Sequence, residues 1–208
     1  MKILKVVPLS LPEVKVLQIQ RYVDSRGYFL EVFRSDVTMS LPELPELAHK
    51  QITQINESTS GKNVMRGLHA QCQPNLDKLL RVLKGRIIDV AVDIRPNSPT
   101  FGKATICELQ YSPSLDFEEI IFIPFGFAHG IVALEDSHIQ YFQTGFWSDS
   151  GETTINFYDT AIDWSTCDQR LVAKIQEVMQ ISLFSDKDKK GITLQAWKES
   201  PLSEKYSV

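Results

Sequence analysis

Between residues 14 and 145, short apolar runs alternate with turn-forming breaks. The runs "VKVLQIQRYV", "GYFLEVF", "HKQITQIN", "KLLRVL", "RIIDVAVDI", "KATICEL", "EEIIFI", "HGIVAL" and "HIQYFQT" are rich in Val, Ile, Phe and Tyr. The breaks, among them "DSRG", "STSGKN", "LKGR", "RPNSPTFG" and "EDS", supply Gly, Pro, Asn, Asp and Ser. Many short strands at intervals of about 8 to 12 residues predict a sandwich or a barrel. In "KGR", Gly85 offers the positive φ that a tight hairpin connection needs. "SDVTMSLPELPELAHK" lacks this pattern and leaves room for one short helix.

After residue 160 the period changes. In "STCDQRLVAKIQEVMQISLF", Leu171, Val172, Ile175, Val178 and Met179 fall at helical spacing. Thr166, with Gln169 three residues on, makes a capping box. The pattern predicts one domain over 1–208. It has a β core over about 14–160, a helical cover over about 165–185, and a tail that frays over about 198–208.

Composition narrows the class without naming a function. The chain has 208 residues, 43% hydrophobic and 23% charged, an ordinary mix for a soluble globular protein. A net charge of −4 with no basic run argues against nucleic acid. No apolar stretch is long enough to span a bilayer, and prolines interrupt "MKILKVVPLSLPEVKV" before a signal-peptide core could form. Cys72, Cys107 and Cys167 are odd in number, widely spaced and form no CxxC pair, as buried thiols would. The expected location is the cytoplasm.

Charges inside the apolar pattern mark where chemistry would sit. "RGLHAQCQPNLDKLL", residues 66–80, sets Arg66, His69 and Lys78 in a strand-like region. Buried charge is costly unless paired or used. In "RIIDVAVDI", Asp89 and Asp93 share a face with Ile87 and Ala91. Strict alternation along "NVMRGLH" groups Arg66 with Leu68, and His69 with Met65 and Gly67 on the other face. His69, Lys78 and Asp89 converge if their strands pair side by side. Two readings stay open. One is a structural network in which Arg66 and Lys78 neutralise inward carboxylates. The other is an anion-and-carbonyl site, where Arg grips phosphate, Lys steadies an oxyanion and a carboxylate-oriented His acts as base.

"IPFGFAHGIVAL" adds a turn of Pro124 and Gly126 that delivers His129. The spacing is similar to the PxGxxH motif of the cupins. Metal-holding cupins also carry HxH followed by Glu, whereas "GLHAQ" has a single His, so no metal is expected.

Together with "DSRGYFLEVF", "QITQIN", "KLLRVLKGRIIDVAVDIRPNSPTFGK", "YFQTGFW" and "SDKD", these motifs resemble the dTDP-4-dehydrorhamnose 3,5-epimerase family, a metal-free branch of the cupins, over residues 20–195. The resemblance implies an all-β fold, a cupin-type double-stranded β-helix or jelly-roll barrel, and no cofactor. It implies an isomerase that removes and returns protons beside the C4 ketone of a nucleotide-linked 6-deoxyhexose. In that reading His69 is the base, Asp188 of "SDKD" orients it (with Asp186 the near neighbour), and Lys78 holds the C4 oxygen of the enolate. His129 and Asp89 shape the sugar pocket, and Arg66 and Arg26 contact the diphosphate. Phe29, Glu31, Gln54, Asn56 and Trp147 contact the nucleotide. Phe29 and Glu31 reach across the interface of a strand-exchanged homodimer.

One fork stays open. The family returns its proton from a Tyr, and "HIQYFQTGFW" offers Tyr141 in one alignment and Phe142 in another. These neighbours point to opposite faces of a strand. Phe142 facing the sugar would reduce the chain to a single-centre isomerase. A metal-dependent cupin and a sugar-nucleotide-binding cupin without catalysis complete the range of functions open to such a chain. Ala70 also stands where many members carry Tyr, and neither the nucleotide nor the sugar is fixed by the residues.

Overall fold

Residues 1–182 and 184–206 are described by a computed structural model. In chain order its strands are β1 (Ile3–Pro8), β2 (Lys15–Gln20), β3 (Tyr22–Asp24), β4 (Gly27–Phe29), β5 (Gln54–Ser60), β6 (Met65–Gln71) and β7 (Lys78–Lys84). There follow β8 (Arg86–Asp93), β9 (Ala104–Gln110), β10 (Phe117–Ile123), β11 (Phe127–Ala133), β12 (Ser137–Gln143) and β13 (Glu152–Thr154). The helices are α1 (Ser35–Thr38), α2 (Gln169–Met179), α3 (Asp186–Lys189) and α4 (Leu194–Lys198). One sheet has the order β1-β2-β10-β7-β12-β5 and the other β13-β6-β11-β8-β9, while β3 and β4 form a separate hairpin. Neighbouring strands are antiparallel. This is the all-β jelly roll that the strand spacing and the cupin-like turn suggest.

Apolar residues form three layers. Between the sheets, Val16, Leu80, Ile121 and Ile139 of one meet Ile87, Ala91, Leu109 and Ile131 of the other. Outside the five-stranded sheet, Ile88, Val90 and Val92 lie under Val172, Ile175 and Val178 of α2, with Leu194 and Trp197 of α4. Outside the six-stranded sheet, Leu17, Leu79, Phe122 and Phe142 are covered by Leu44 and Leu47. Strand β8 is apolar on both faces because it has a core on each side. Each fully buried Leu, Ile or Phe contributes on the order of 1.5–3 kcal/mol.

Several expectations need correction. The β core starts earlier than residue 14, since β1 pairs with β2. Gly85 has the expected positive φ of 78°, but β7 and β8 belong to different sheets. "KGR" is therefore a corner that passes the chain across the sandwich, not a hairpin. A Cβ at Gly85 would stand 2.4 Å from the Asp136 carbonyl oxygen. The cap of α2 is Asp168, whose carboxylate accepts the Arg170 N–H at 2.9 Å, in place of Thr166. The tail does not fray as expected. A short 3₁₀ turn at Ser203–Tyr206 ends in a buried tyrosine, and only the last two residues of the tail lie outside the described range. No described helix is long and apolar enough to cross a membrane.

Candidate active site

A cavity of about 520 Å³ opens between the sheets, within the size range of small-molecule sites. Strand register decides what faces it. On the six-stranded wall, Lys78 pairs with Gln143 and Gln143 with Gln54, while Leu80, Tyr141 and Asn56 form the next row. Lys78, Leu80, Tyr141 and Gln143 line the cavity. Phe142 points the other way, 6% exposed and stacked on Phe33 at 6.0 Å. Alternation thus sends Tyr141 to the cavity and Phe142 to the outer layer.

The five-stranded wall breaks strict alternation. His129 pairs with His69, but Ile131 pairs with Arg66, so Gly67 and Leu68 of β6 oppose Gly130 alone on β11. This bulge turns Arg66 and His69 to the same side, and both line the cavity. Gly67 at its centre has φ 100°, and a Cβ there would lie 2.6 Å from the His129 carbonyl oxygen. The expectation that Arg66 and His69 share no face is overturned by that extra residue. The side-by-side pairing on which the convergence of His69, Lys78 and Asp89 depended is not what brings them together, since β6 and β8 flank β11 in one sheet and β7 lies in the other. Lys78 meets His69 and Asp89 from the opposite sheet.

His69 sits between two carboxylates. Its Nε2 is 2.6 Å from Asp188 Oδ1 and its Nδ1 is 3.7 Å from Glu152 Oε1. Asp188 is buried on α3, where Ser185 caps the helix, whereas Asp186 is exposed. Burial raises the Asp188 carboxyl, but the hydrogen bond and charge of His69 together with hydrogen bonds from Ser185 and the Gly67 backbone outweigh it and leave the pKa below the ordinary value. Glu152 is likewise raised by burial and drawn below its ordinary value by Lys187, Trp147 and His69. Trp147 Nε1 donates to Glu152 at 2.9 Å, and Lys187 pairs with the same oxygen.

Deeper in the site, His129 Nε2 is 2.9 Å from Asp89 Oδ2, and both residues are buried. Desolvation pushes the Lys78 ammonium below the usual lysine value, against the pull of Glu152 and Asp89. Desolvation raises the Tyr141 phenol; Arg66 opposes this and Glu152 adds to it. Arg66 donates to Ser60 Oγ and the Thr59 carbonyl, each at 2.8 Å. Trp147 N–H donates to Gln54, Gln54 to Asn56 and Asn56 to Gln143. Among the described residues no three His, Cys, Asp or Glu side chains are grouped to hold a metal.

An imidazole–carboxylate pair on one wall therefore faces an ammonium and a phenol on the other. The profile of dTDP-4-dehydrorhamnose 3,5-epimerase matches residues 8–196. The chain belongs to that family. A relative of that name from Salmonella typhimurium is 38% identical over 161 residues, covering 76% of this chain and 82% of the relative. One from Neisseria gonorrhoeae is 37% identical over 158 residues, and the match spans 76% of this chain but 45% of that longer protein. The crystal structure of dTDP-6-deoxy-D-glucose-3,5-epimerase from Legionella pneumophila, in complex with dTDP-4-keto-L-rhamnose, superposes with a TM-score of 0.76 at 32% identity. The superposition covers 92% of this chain and 93% of that one. These relatives are epimerases, which places the chain among the isomerases.

Not every residue expected of the epimerase family lies at the cavity. Arg26 and Phe29 stand on the exposed β3–β4 hairpin, where Arg26 pairs with Asp24 at 2.6 Å and Phe29 is 64% exposed. Glu31 pairs with the Met1 ammonium. The root of the hairpin is fixed by Arg21, buried with Glu118 and 4.6 Å from the Tyr28 ring. Asp93 shares the face of Asp89 but turns to Arg95, Ser98 and Thr100 in the following loop. Glu152 and Lys187 carry no sequence signal. Three-residue β13 has no apolar alternation to flag it, and Lys187 looks like any surface lysine.

Proposed function

We propose that the chain epimerises a dTDP-linked 4-keto-6-deoxyhexose at both carbons beside the ketone, C3 and C5. The observation that carries this reading is the cavity with an oriented imidazole on one sheet and a phenol on the facing sheet. A sugar ring held between them has a base on one face and an acid on the other. His69 donates its Nε2–H to Asp188 in a hydrogen bond and keeps a lone pair on Nδ1. The Glu152 carboxylate lies 3.7 Å from that nitrogen, where positive charge develops as the substrate proton is taken. The electrons move into the ketone, and Lys78 donates to the oxygen as it becomes an enolate. Tyr141 returns a proton from the opposite side. His129 and Asp89 shape the floor of the pocket.

Arg66 at the cavity mouth binds the diphosphate, while Gln54, Asn56 and Trp147 border the nucleotide. Arg26, Phe29 and Glu31 reach the nucleotide in a second copy, so that the working unit is a homodimer with exchanged hairpins. dTDP is chosen as nucleotide because the relatives' names and the Legionella complex carry it. The test is solvent exchange in D2O with dTDP-4-keto-6-deoxyglucose, followed by NMR and mass spectrometry. Deuterium at both C3 and C5 is expected. Deuterium at one carbon alone would make the chain a single-centre enzyme, and none at all would leave only a binding protein.

A further inference from the structure

The match to the epimerase family ends at residue 196, yet the chain beyond it is built into the back of the active site. Trp197 Nε1 donates to the Ile94 carbonyl at 2.7 Å. Lys205 Nζ donates to Gln73 Oε1 at 2.7 Å, in the loop that joins the His69 strand to the Lys78 strand. Tyr206 is 1% exposed. Its ring stacks on Phe125 at 4.5 Å and meets the edge of Trp197 at 5.0 Å. It also borders a small void whose other walls include His69, Gln71, Leu76 and Lys78.

Phe125 is the link to the chemistry. Its backbone N–H donates to Asp77 Oδ1 at 3.0 Å, and Asp77 is the residue before Lys78. Asp77 also accepts from Lys50 at 2.5 Å and Thr144 at 3.0 Å, so its carboxylate is a fixed anchor. Phe125 and Gly126 form the turn into β11, which carries His129. A single aromatic stack thus presses on the turn before one site residue and, through one hydrogen bond, on the residue before another. We propose that Tyr206 is a positioning residue for the epimerisation, holding Lys78 and His129 in register from behind the cavity wall. Its ring does this work, since its hydroxyl lies against the Cys72 thiol, a weak partner at most, and makes no hydrogen bond of good geometry among the described residues.

This inference rests on the epimerase reading, and its test separates the two. Proton exchange is measured for the wild type, Tyr206→Phe, Tyr206→Leu and Phe125→Leu with dTDP-4-keto-6-deoxyglucose, well below each Tm. Tyr206→Phe keeps the stack and is expected within about twofold of wild type, whereas either leucine variant lowers kcat about 10- to 100-fold, the scale of a small misplacement of reacting groups. KM stays nearly constant, because the nucleotide is held elsewhere. In the leucine variants the alkaline limb of the pH profile moves up, since water admitted behind Lys78 relieves its desolvation. A purely structural tyrosine would lower Tm and leave both kcat and that limb alone. A folded leucine variant with wild-type kcat overturns the proposal, as does a change confined to KM. Phe125→Leu breaks the same stack from the other side, should Tyr206→Leu fail to fold. A wild type inert in D2O sinks the epimerase reading and this inference with it. An active wild type with indifferent variants sinks this inference alone.

Discussion

Lys78 and Tyr141 illustrate how one wall prepares two groups for opposite tasks. Burial lowers the lysine and raises the tyrosine, so the ammonium loses its proton more easily and the phenol holds its own more tightly than usual. The proposed mechanism needs Lys78 charged and Tyr141 protonated. Raising the pH through the lowered Lys78 value removes the enolate partner first, so kcat/KM is expected to fall on the alkaline side earlier than an ordinary lysine would dictate. Lys78→Arg should carry that limb to higher pH while lowering kcat, because guanidinium stays charged; a pH–rate profile of both proteins checks this. An unmoved limb would assign it to another group. Tyr141→Phe is expected to cut proton return about 10²–10⁴-fold, the usual contribution of a positioned acid, while exchange of the abstracted proton survives better. Isotope counting at C3 and C5 separates the two steps.

At the level of elements, β12 settles a question that its sequence poses. Phe142→Ala should cost about 3–5 kcal/mol in a urea titration, because the ring fills the outer layer against Phe33. The folded fraction should keep its exchange activity, the reverse of the Tyr141→Phe pattern. Most strands were legible because "RIIDVAVDI" or "EEIIFI" carry unmistakable β-branched runs, and α2 because five apolar residues keep a 3.6 period. The His69, Asp188, Lys78 and Tyr141 cluster was legible through motif resemblance. Its geometry was not, because neither the bulge at Gly67 nor the sheet change at Gly85 leaves a trace in the hydrophobic pattern. Glu152 was missed for a related reason, since its strand is short and polar. Tyr206 was misjudged because the polar residues around it hide one buried ring.

Both outer faces of the sandwich are already covered by the chain itself, so the proposed second copy would join at strand edges or through the projecting hairpin. The hairpin places Tyr22, Val23, Tyr28 and Phe29 in solvent, an arrangement that suits insertion into a neighbour. Among the described residues its Arg26 pairs only with Asp24 on the surface, so Arg26→Ala is expected to change stability by less than about 0.5 kcal/mol. Activity should nevertheless suffer if that arginine works in a partner's cavity. Mixing Arg26→Ala with His69→Ala subunits then restores activity, since a heterodimer regains one complete site, about a quarter of the wild-type total for random pairing. No recovery on mixing would place Arg26 and His69 in the same subunit's site or in none.

The bulge on β6 gives that strand something like a reading frame. Arg66 and His69 look into the cavity together only because one extra residue separates them, and the core-facing Leu68 between them keeps its place for the same reason. A change of side chain at one of these positions alters one contact. A change of length by one residue would turn Arg66 and His69 to opposite sides while presenting apolar side chains to the cavity. Within this segment spacing therefore constrains sequence drift and engineering more tightly than residue identity does, and libraries built on this scaffold have to substitute without inserting or deleting.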